Sequence, residues 1–267
     1  MKKVATAIDI GGYSVKTMLV ARKRGKRALE SMSNLPYELP EEASEDSSFE
    51  FGRIDNSLSL DSLHQLAETS LRSIGKMYKS GDAISALAGD NVIAKQVSFP
   101  NVSVQQISKS IQWEAKKHIP FAIDDSIVDF NVLRETETGY EILLVAAYKD
   151  DAETRTQFLE RLGFESTVLD YEPLALLNCI GLNYAIQDGK NHVFLDIGYT
   201  KTIAVIYNSQ QNILIRELPI AGKSFDEEIS RRLEIDMATA EQIKKKGSSE
   251  LTDALGQSPF EIGRAHV

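Results

Sequence analysis

Two stretches of the chain decide its fold: ATAIDIGGYSVKTMLV (residues 5–20) and HVFLDIGYTKTIAVIY (residues 192–207). Each is an apolar run that breaks at Asp-Ile-Gly, crosses a short polar loop and returns to apolar residues. Alternation of this kind reads as strand, turn, strand. The same unit occurs twice, nearly two hundred residues apart, with an acid at the end of the first strand each time.

Such a loop suits phosphate. Gly11, Gly12 and Gly198 let the backbone come close and present N–H groups to an anion. Each amide bond to a charged oxygen is worth about 1.5–3 kcal/mol. Tyr13, Ser14, Tyr199, Thr200 and Thr202 add hydroxyls, and Lys16 and Lys201 add cations. Asp9 and Asp196 end their strands where they would repel phosphate unless a divalent cation lay between. Two acids facing phosphate therefore predict Mg²⁺, which prefers oxygen ligands and keeps several waters. Either loop alone reads equally well as an ordinary turn, where Gly, Asp and Ser are common. The repetition is what favours a clamp. A rival motif fails: Gly222-Lys223-Ser224 ends like a P-loop, but the required glycine five positions earlier is Glu217.

Around the loops, residues 60–78 carry leucines, Ile74 and Met77 at helical spacing, with Ser59 as N-cap and Gly81 as stop. Residues 83–100 predict two short strands about an Ala-Gly-Asp-Asn turn, and residues 103–119 a helix ending before Pro120. A hairpin about Glu137-Thr138-Gly139 follows, then a helix ended by Gly163. This order makes residues 83–165 read as a small α+β unit inserted in the chain. The acid-rich segment 37–50 reads as a solvated loop. Trp113 is expected to pack inside the insertion, and Asp124, Asp125 and Asp129 to form a solvated face. His118 has no second ligand at metal spacing.

Bulk properties exclude several classes. The 267 residues favour more than one domain, and a net charge of −9 argues against a nucleic-acid partner. The single cysteine, Cys179, permits no internal disulfide and fits a reducing cytoplasm. Asp9 interrupts the N-terminal apolar run too early for a signal peptide, and no run reaches membrane-spanning length, so the reading is a soluble chain. The last residues, EIGRAHV (261–267), continue no earlier pattern and can be encoded by a common sequencing adapter. They are expected to be an adapter-derived tail on a chain cut short near Phe260.

With these motifs in place, the chain resembles the actin-like ATPase superfamily, which includes actin, DnaK, MreB and FtsA. DIGGYSVK and LDIGYTKT resemble its first and second phosphate motifs. YEPLAL (171–176) resembles its connecting helix, whose acid, here Glu172, positions the attacking water. Read from the residues alone, Glu172 before Pro173 is equally a helix-start acid. AGKSFDEEI, with Gly222, resembles the turn after the second motif. ATAEQIKKK (238–246) resembles the helix whose Glu241 and Lys244 would approach ribose and base. The resemblance implies catalytic roles for Glu172 and Asp196, Mg²⁺ at Asp9 and Asp196, and ATP as ligand.

The insertion narrows this further. SIQWEAKKHIPFAIDDSIVDFNVL (110–133) with EILLVAAYKDDAETRTQFLERLGF (141–164) resembles the PilM family, the cytoplasmic actin-like proteins of type IV pilus assembly. The implied fold is α/β, a two-lobed actin-like (ribonuclease H-like) ATPase with an inserted 1C domain, truncated at its C-terminus. The expected boundaries are 1–82 and 166–188 for subdomain 1A, 83–165 for 1C, and 189–260 for an incomplete 2A/2B. The resemblance implies ATP binding with at most slow hydrolysis. It implies capture of the N-terminal cytoplasmic peptide of PilN between 1A and 1C. The protein would then be cytoplasmic, joined to the inner-membrane alignment complex through its partner alone. The family's adenosine motif would lie beyond residue 260. Two other readings share the fold, an FtsA-like division protein and a small-molecule kinase.

Overall fold

Alternating side chains build the first sheet. The computed structural model describes residues 4–23, 26–37, 60–73, 81–89 and 91–246. Strand β1 (Val4–Ile10) buries Thr6, Ile8 and Ile10 on one face, and β2 (Ser14–Lys23) answers with Val15, Thr17 and Ala21. They pair antiparallel, and β3 (Lys26–Pro36) extends the meander beyond β2. On the other edge, β4 (Asp82–Leu87) joins β1 in parallel and β8 (Ser166–Tyr171) joins β4 in parallel. The order is β3-β2-β1-β4-β8.

Two helices close one face of this sheet. Helix α1 (Leu60–Ser73) turns His64, Ala67 and Leu71 inward at three- and four-residue spacing. Helix α3 (Lys149–Arg161) buries Ala152, Arg155, Phe158 and Leu159. Phe158 and Leu159 pack with Ile8, Ile10, Val15 and Ala83, and each such fully buried side chain contributes about 1.5–3 kcal/mol. Gly163, at φ +91°, ends the helix as expected. Residues 37–59 and 74–81 were expected to hold a solvated loop and the ends of α1. Of these only Tyr37 and Gly81 fall within the described residues, so the Ser59 cap and the helix after residue 73 lie outside them, as does the tail at 261–267.

The insertion is smaller than its expected span of 83–165. Its sheet is β5-β7-β6, made of β5 (Val92–Pro100), β6 (Ser126–Thr136) and β7 (Gly139–Tyr148). Helix α2 (Val104–Ala115) covers it, started by a capping box of Ser103 and Gln106. Ile107, Ile111 and Ala115 pack on Val97, Phe99, Ile142 and Leu144. β4 and β5 do not pair across their turn: β4 belongs to the first sheet, where it lies between β1 and β8 with Ala83 and Leu87 buried. α3 likewise belongs to the first sheet's core. Trp113 corrects another expectation. It is 73% exposed on the outer face of α2.

After β8, helix α4 (Glu172–Asn183) leads to a second sheet of β9 (Asn191–Ile197), β10 (Thr202–Asn208) and β11 (Ile213–Leu218). Its order, β11-β10-β9, repeats β3-β2-β1. Helices α5 (Gly222–Leu233) and α6 (Met237–Lys246) follow as a packed pair. Among the described residues no helix is long and apolar enough to cross a membrane.

Candidate functional site

The two loops match residue for residue. Gly11 N–H donates to the Ser14 carbonyl at 3.1 Å, and Gly198 N–H to the Lys201 carbonyl at 3.0 Å. Asp9 lies opposite Lys16 across its hairpin, and Asp196 lies opposite Ile203. The loops also touch one another. A Cβ on Gly12 would stand 2.8 Å from Thr200 Oγ1, and the Tyr13 and Tyr199 rings sit 5.3 Å apart. Glycine at position 12 is thus what allows the approach.

Between them opens a cavity of about 680 Å³. The first loop lines it with Asp9, Gly11, Gly12, Tyr13, Ser14 and Lys16. The second loop supplies Asp196, Gly198, Tyr199, Thr200 and Lys201, and the start of α4 supplies Glu172. Twelve side chains or glycines singled out from sequence therefore meet in one place, while Gly222, Glu241 and Lys244 stand behind the second loop instead. Gly222 N–H donates to the Gly198 carbonyl at 2.9 Å, so the decoy Gly-Lys-Ser buttresses that loop. Lys244 donates to Asp226 at 2.6 Å and to the Gly222 carbonyl at 3.0 Å, with Nζ 5.9 Å from the Tyr199 ring centre. Glu241 pairs with Lys245 at 2.9 Å, and Lys245 reaches across to the Tyr13 hydroxyl at 3.0 Å.

The charges inside the cavity are arranged in pairs. Lys16 holds Asp9 at 2.8 Å, with both side chains half-exposed. Lys201 holds Glu172 at 3.3 Å and Glu217 at 3.1 Å, and Glu217 also accepts from Gly89 N–H at 3.1 Å. Burial raises the Glu172 carboxyl above its ordinary range; Lys201 opposes the rise, and the Asp9 and Asp196 charges add to it. The Tyr37 hydroxyl donates to the Gly11 carbonyl at 2.8 Å, bracing the first loop from behind. Burial, with the charge of Asp9, pushes that phenol above its ordinary range.

Three contributors escaped the sequence reading. Glu217 was noticed only as the residue that breaks a P-loop. Its signal was its place near the end of the alternating strand β11. Arg155 lies on α3, which the sequence assigned to the insertion; its three-residue spacing from Ala152 and Phe158 put it on the buried face. Tyr37 had no readable signal, since its partner is a backbone carbonyl far away in sequence. Asp124, Asp125 and Asp129 are exposed, and His118 bonds to Glu114 at 3.1 Å.

The donor set has a chemical preference. Asp9 and Asp196 each line the cavity, one per loop, while no three His, Cys, Asp or Glu side chains among the described residues gather as a metal site. Two carboxylates, one from each glycine loop, are an oxygen donor set that fits Mg²⁺, which is usually held by one or two carboxylates with waters and other oxygen ligands, and do not make a protein-only cage.

Comparison with known proteins gives this arrangement a family. The family profile described as type IV pilus assembly protein PilM matches residues 7–254. Among solved structures, a PilM–PilN type IV pilus biogenesis complex aligns with a TM-score of 0.69 at 23% identity, covering 97% of this chain and 73% of that one. The cytoplasmic domain of EpsL, from the type II secretion system of Vibrio cholerae, aligns at 0.48 and 10% identity, covering 88% and 76%. MreB5 of Spiroplasma citri bound to ADP aligns at 0.47 and 15% identity, covering 91% and 62%.

Proposed function

Because the chain belongs to the PilM family of type IV pilus assembly proteins, we propose that it is a nucleotide-binding scaffold of actin-like fold rather than a turnover enzyme. ATP is the ligand of the cavity. Its phosphates lie between the two loops, gripped by backbone N–H groups and by Ser14, Thr200 and Lys16, with Mg²⁺ held by Asp9 and Asp196. Glu241 and Lys244, outside the cavity lining, bear on the ribose and base side through Lys245 and the Tyr199 ring. The observation that carries this reading is the convergence of two matching glycine loops on one cavity of about 680 Å³.

In actin-like terms the first sheet with α1, α3 and α4 corresponds to subdomain 1A, the β5-β7-β6 unit to 1C, and the second sheet with α5 and α6 to the start of 2A/2B. The insertion meets both lobes. Leu87, Val92, Ala152 and Tyr171 form a shared cluster, with Ile215 of β11 against it. Gln96 of β5 accepts from Ile213 N–H of β11 at 3.2 Å. A partner seated on the insertion is therefore mechanically close to both loops. That partner is the N-terminal cytoplasmic peptide of a PilN-like inner-membrane protein, a reading supported by the match to a solved PilM–PilN complex. It would tie the protein to the cytoplasmic side of the inner membrane. Glu172, already engaged by Lys201 at 3.3 Å, is poorly placed to orient a water, which favours slow hydrolysis at most.

The test is calorimetric titration of the full-length protein with ATP and Mg²⁺, and with a PilN-like peptide. ATP binding is expected to weaken about tenfold, or about 1.4 kcal/mol, in Gly12→Ala and to recover only in part in Gly12→Ala/Thr200→Ala, which restores the room but loses the Thr200 hydroxyl. With Thr200 cut back to its Cβ, the added methyl has 3.5 Å of room. A wild-type protein that binds neither ATP nor peptide would refute the proposal.

A further inference from the structure

Arg155 is a buried cation with no carboxylate in direct contact with it among the described residues. It is 5% exposed, yet it borders the cavity. Its Nη1 donates to Ser85 Oγ at 3.1 Å and to the Ala86 carbonyl at 3.3 Å, both on β4. Its Nε finds no acceptor. Among the described residues no carboxylate stands within ion-pair distance of it, because the nearby acids are taken: Asp9 by Lys16 and Glu172 by Lys201. Burial lowers its pKa to about 10, against the pull of Tyr37, Asp9, Glu172 and Asp151, so it stays charged at neutral pH.

A guanidinium taken from water without a counter-ion is expensive. The cost is recovered where an anion arrives, and the planar fork matches phosphate oxygens two at a time. The bonds from Nη1 to β4 fix the plane of the fork before any ligand comes, so binding loses little side-chain freedom. Position along the cavity indicates which phosphate. The Tyr13, Tyr199, Lys244 and Lys245 cluster marks the α6 side, proposed for the ribose and base. Arg155 lies on the α3 and β4 side, in the company of Glu172.

Resting on the nucleotide reading above, we propose that Arg155 binds the terminal phosphate of a nucleoside triphosphate and lets the cavity distinguish triphosphate from diphosphate. The fork donates through the N–H groups that β4 leaves free. α3 runs directly on from β7 of the insertion, so the residue that meets the terminal phosphate is carried on the helix that anchors the partner-binding unit.

The experiment compares wild type, Arg155→Met and Arg155→Lys by calorimetry, each titrated with ATP, ADP, tripolyphosphate and pyrophosphate in the presence of Mg²⁺. Arg155→Met is expected to weaken ATP and tripolyphosphate about tenfold or more while moving ADP and pyrophosphate less than about twofold. Arg155→Lys keeps the charge but loses the fork, and should fall between. If Arg155→Met does not fold, the selective loss in Arg155→Lys carries the test. Equal loss for triphosphates and diphosphates, or no loss in either variant, overturns the assignment and leaves ATP binding standing. Arg155-dependent binding of tripolyphosphate without binding of either nucleotide sustains Arg155 and removes the nucleotide reading. A wild type that binds none of the four overturns both.

Discussion

The first loop and the second loop share a backbone and differ in everything their charges do. Asp9 and Asp196 end equivalent strands, and the glycine two residues on makes the same turn bond in each. Opposite Asp9, however, stands Lys16, which neutralises it within its own hairpin at 2.8 Å. Opposite Asp196 stands the buried Ile203, and the lysine of that loop turns away to hold Glu172 and Glu217. The flanking strands differ too. β1 has β4 beside it and β8 beyond that, while β9 is the edge of its sheet among the described residues, with Val193 and Leu195 exposed. A repeated sequence thus dictates local geometry, whereas pairing of charge is decided by what each copy is packed against.

The equivalence can be broken most sharply at the shared glycine. A methyl on Gly198 would stand 2.9 Å from the Lys201 carbonyl, a backbone atom with little room to retreat. A methyl on Gly11 would stand 3.4 Å from the Ser14 carbonyl, an ordinary contact. Gly198→Ala is expected to cost about 2–3 kcal/mol, and Gly11→Ala within about 0.5 kcal/mol. Urea unfolding of the two variants measures the difference. Equal losses would mean that the loops are interchangeable after all.

Acid separates the two halves next. The first half buries His64 between α1 and α3, stacked on Phe158 at 4.4 Å with neither ring nitrogen bonded. Burial, helped by Arg155 and Arg161, holds it neutral down to about pH 3, against 6.5 for a free histidine. The unfolded chain therefore takes up a proton first as pH falls. The contribution of His64 is complete above about pH 6.5 and is lost at roughly 1.4 kcal/mol per unit below it. The second half buries Asp226, whose carboxyl burial raises despite the adjacent Lys244. Its sign is opposite: the folded state keeps that proton to higher pH, so its contribution is largest in acid and fades as pH rises through the raised value. Amide exchange at pH 5 should find α1 and α3 loosened by about 2 kcal/mol with α5 and α6 little changed. His64→Phe should abolish that acid sensitivity.

These contrasts explain what could be read in advance. Alternation in residues 5–20 and 192–207 exposes a strand-loop-strand twice, and the residues named from those loops line one cavity except Thr202, whose hydroxyl donates to the Ile220 carbonyl instead. Periodicity reports which face of a segment is buried but not against what. β4 and β5 are adjacent in sequence and part company in space, because β4 completes a parallel pair with β1 that closes over more than seventy residues. For the same reason α3 passed for a helix of the insertion, and Arg155 with it. Trp113 erred in the other direction: aromatic character suggested burial, but helical spacing from Ile107, Ile111 and Ala115 leaves position 113 on the outside. Glu217 was legible as an acid on an alternating strand, but its bond to Gly89 across the molecule was not.

The smallest expected effect is also the most direct test of how charge is shared between the loops. Lys16 and Lys201 sit in corresponding halves of the site, yet Lys16 serves one half-exposed acid and Lys201 serves two half-buried ones. An exposed pair contributes about 0–1 kcal/mol and fades with salt, so Lys16→Met should match wild type closely in thermal melts at high salt. Lys201→Met leaves Glu172 and Glu217 facing one another without a cation and should cost about 1–2 kcal/mol, between the exposed and fully buried limits. Its cost should also depend on pH. Removing Lys201 takes away the main influence that holds the Glu172 carboxyl down, so that group moves further up. In acid the neutral carboxyl needs no partner and the variant loses little. As pH rises through the raised value, the charge appears without its cation and the loss grows. A loss that is flat with pH would place the contribution of Lys201 in packing, and would return the two loops to equivalence.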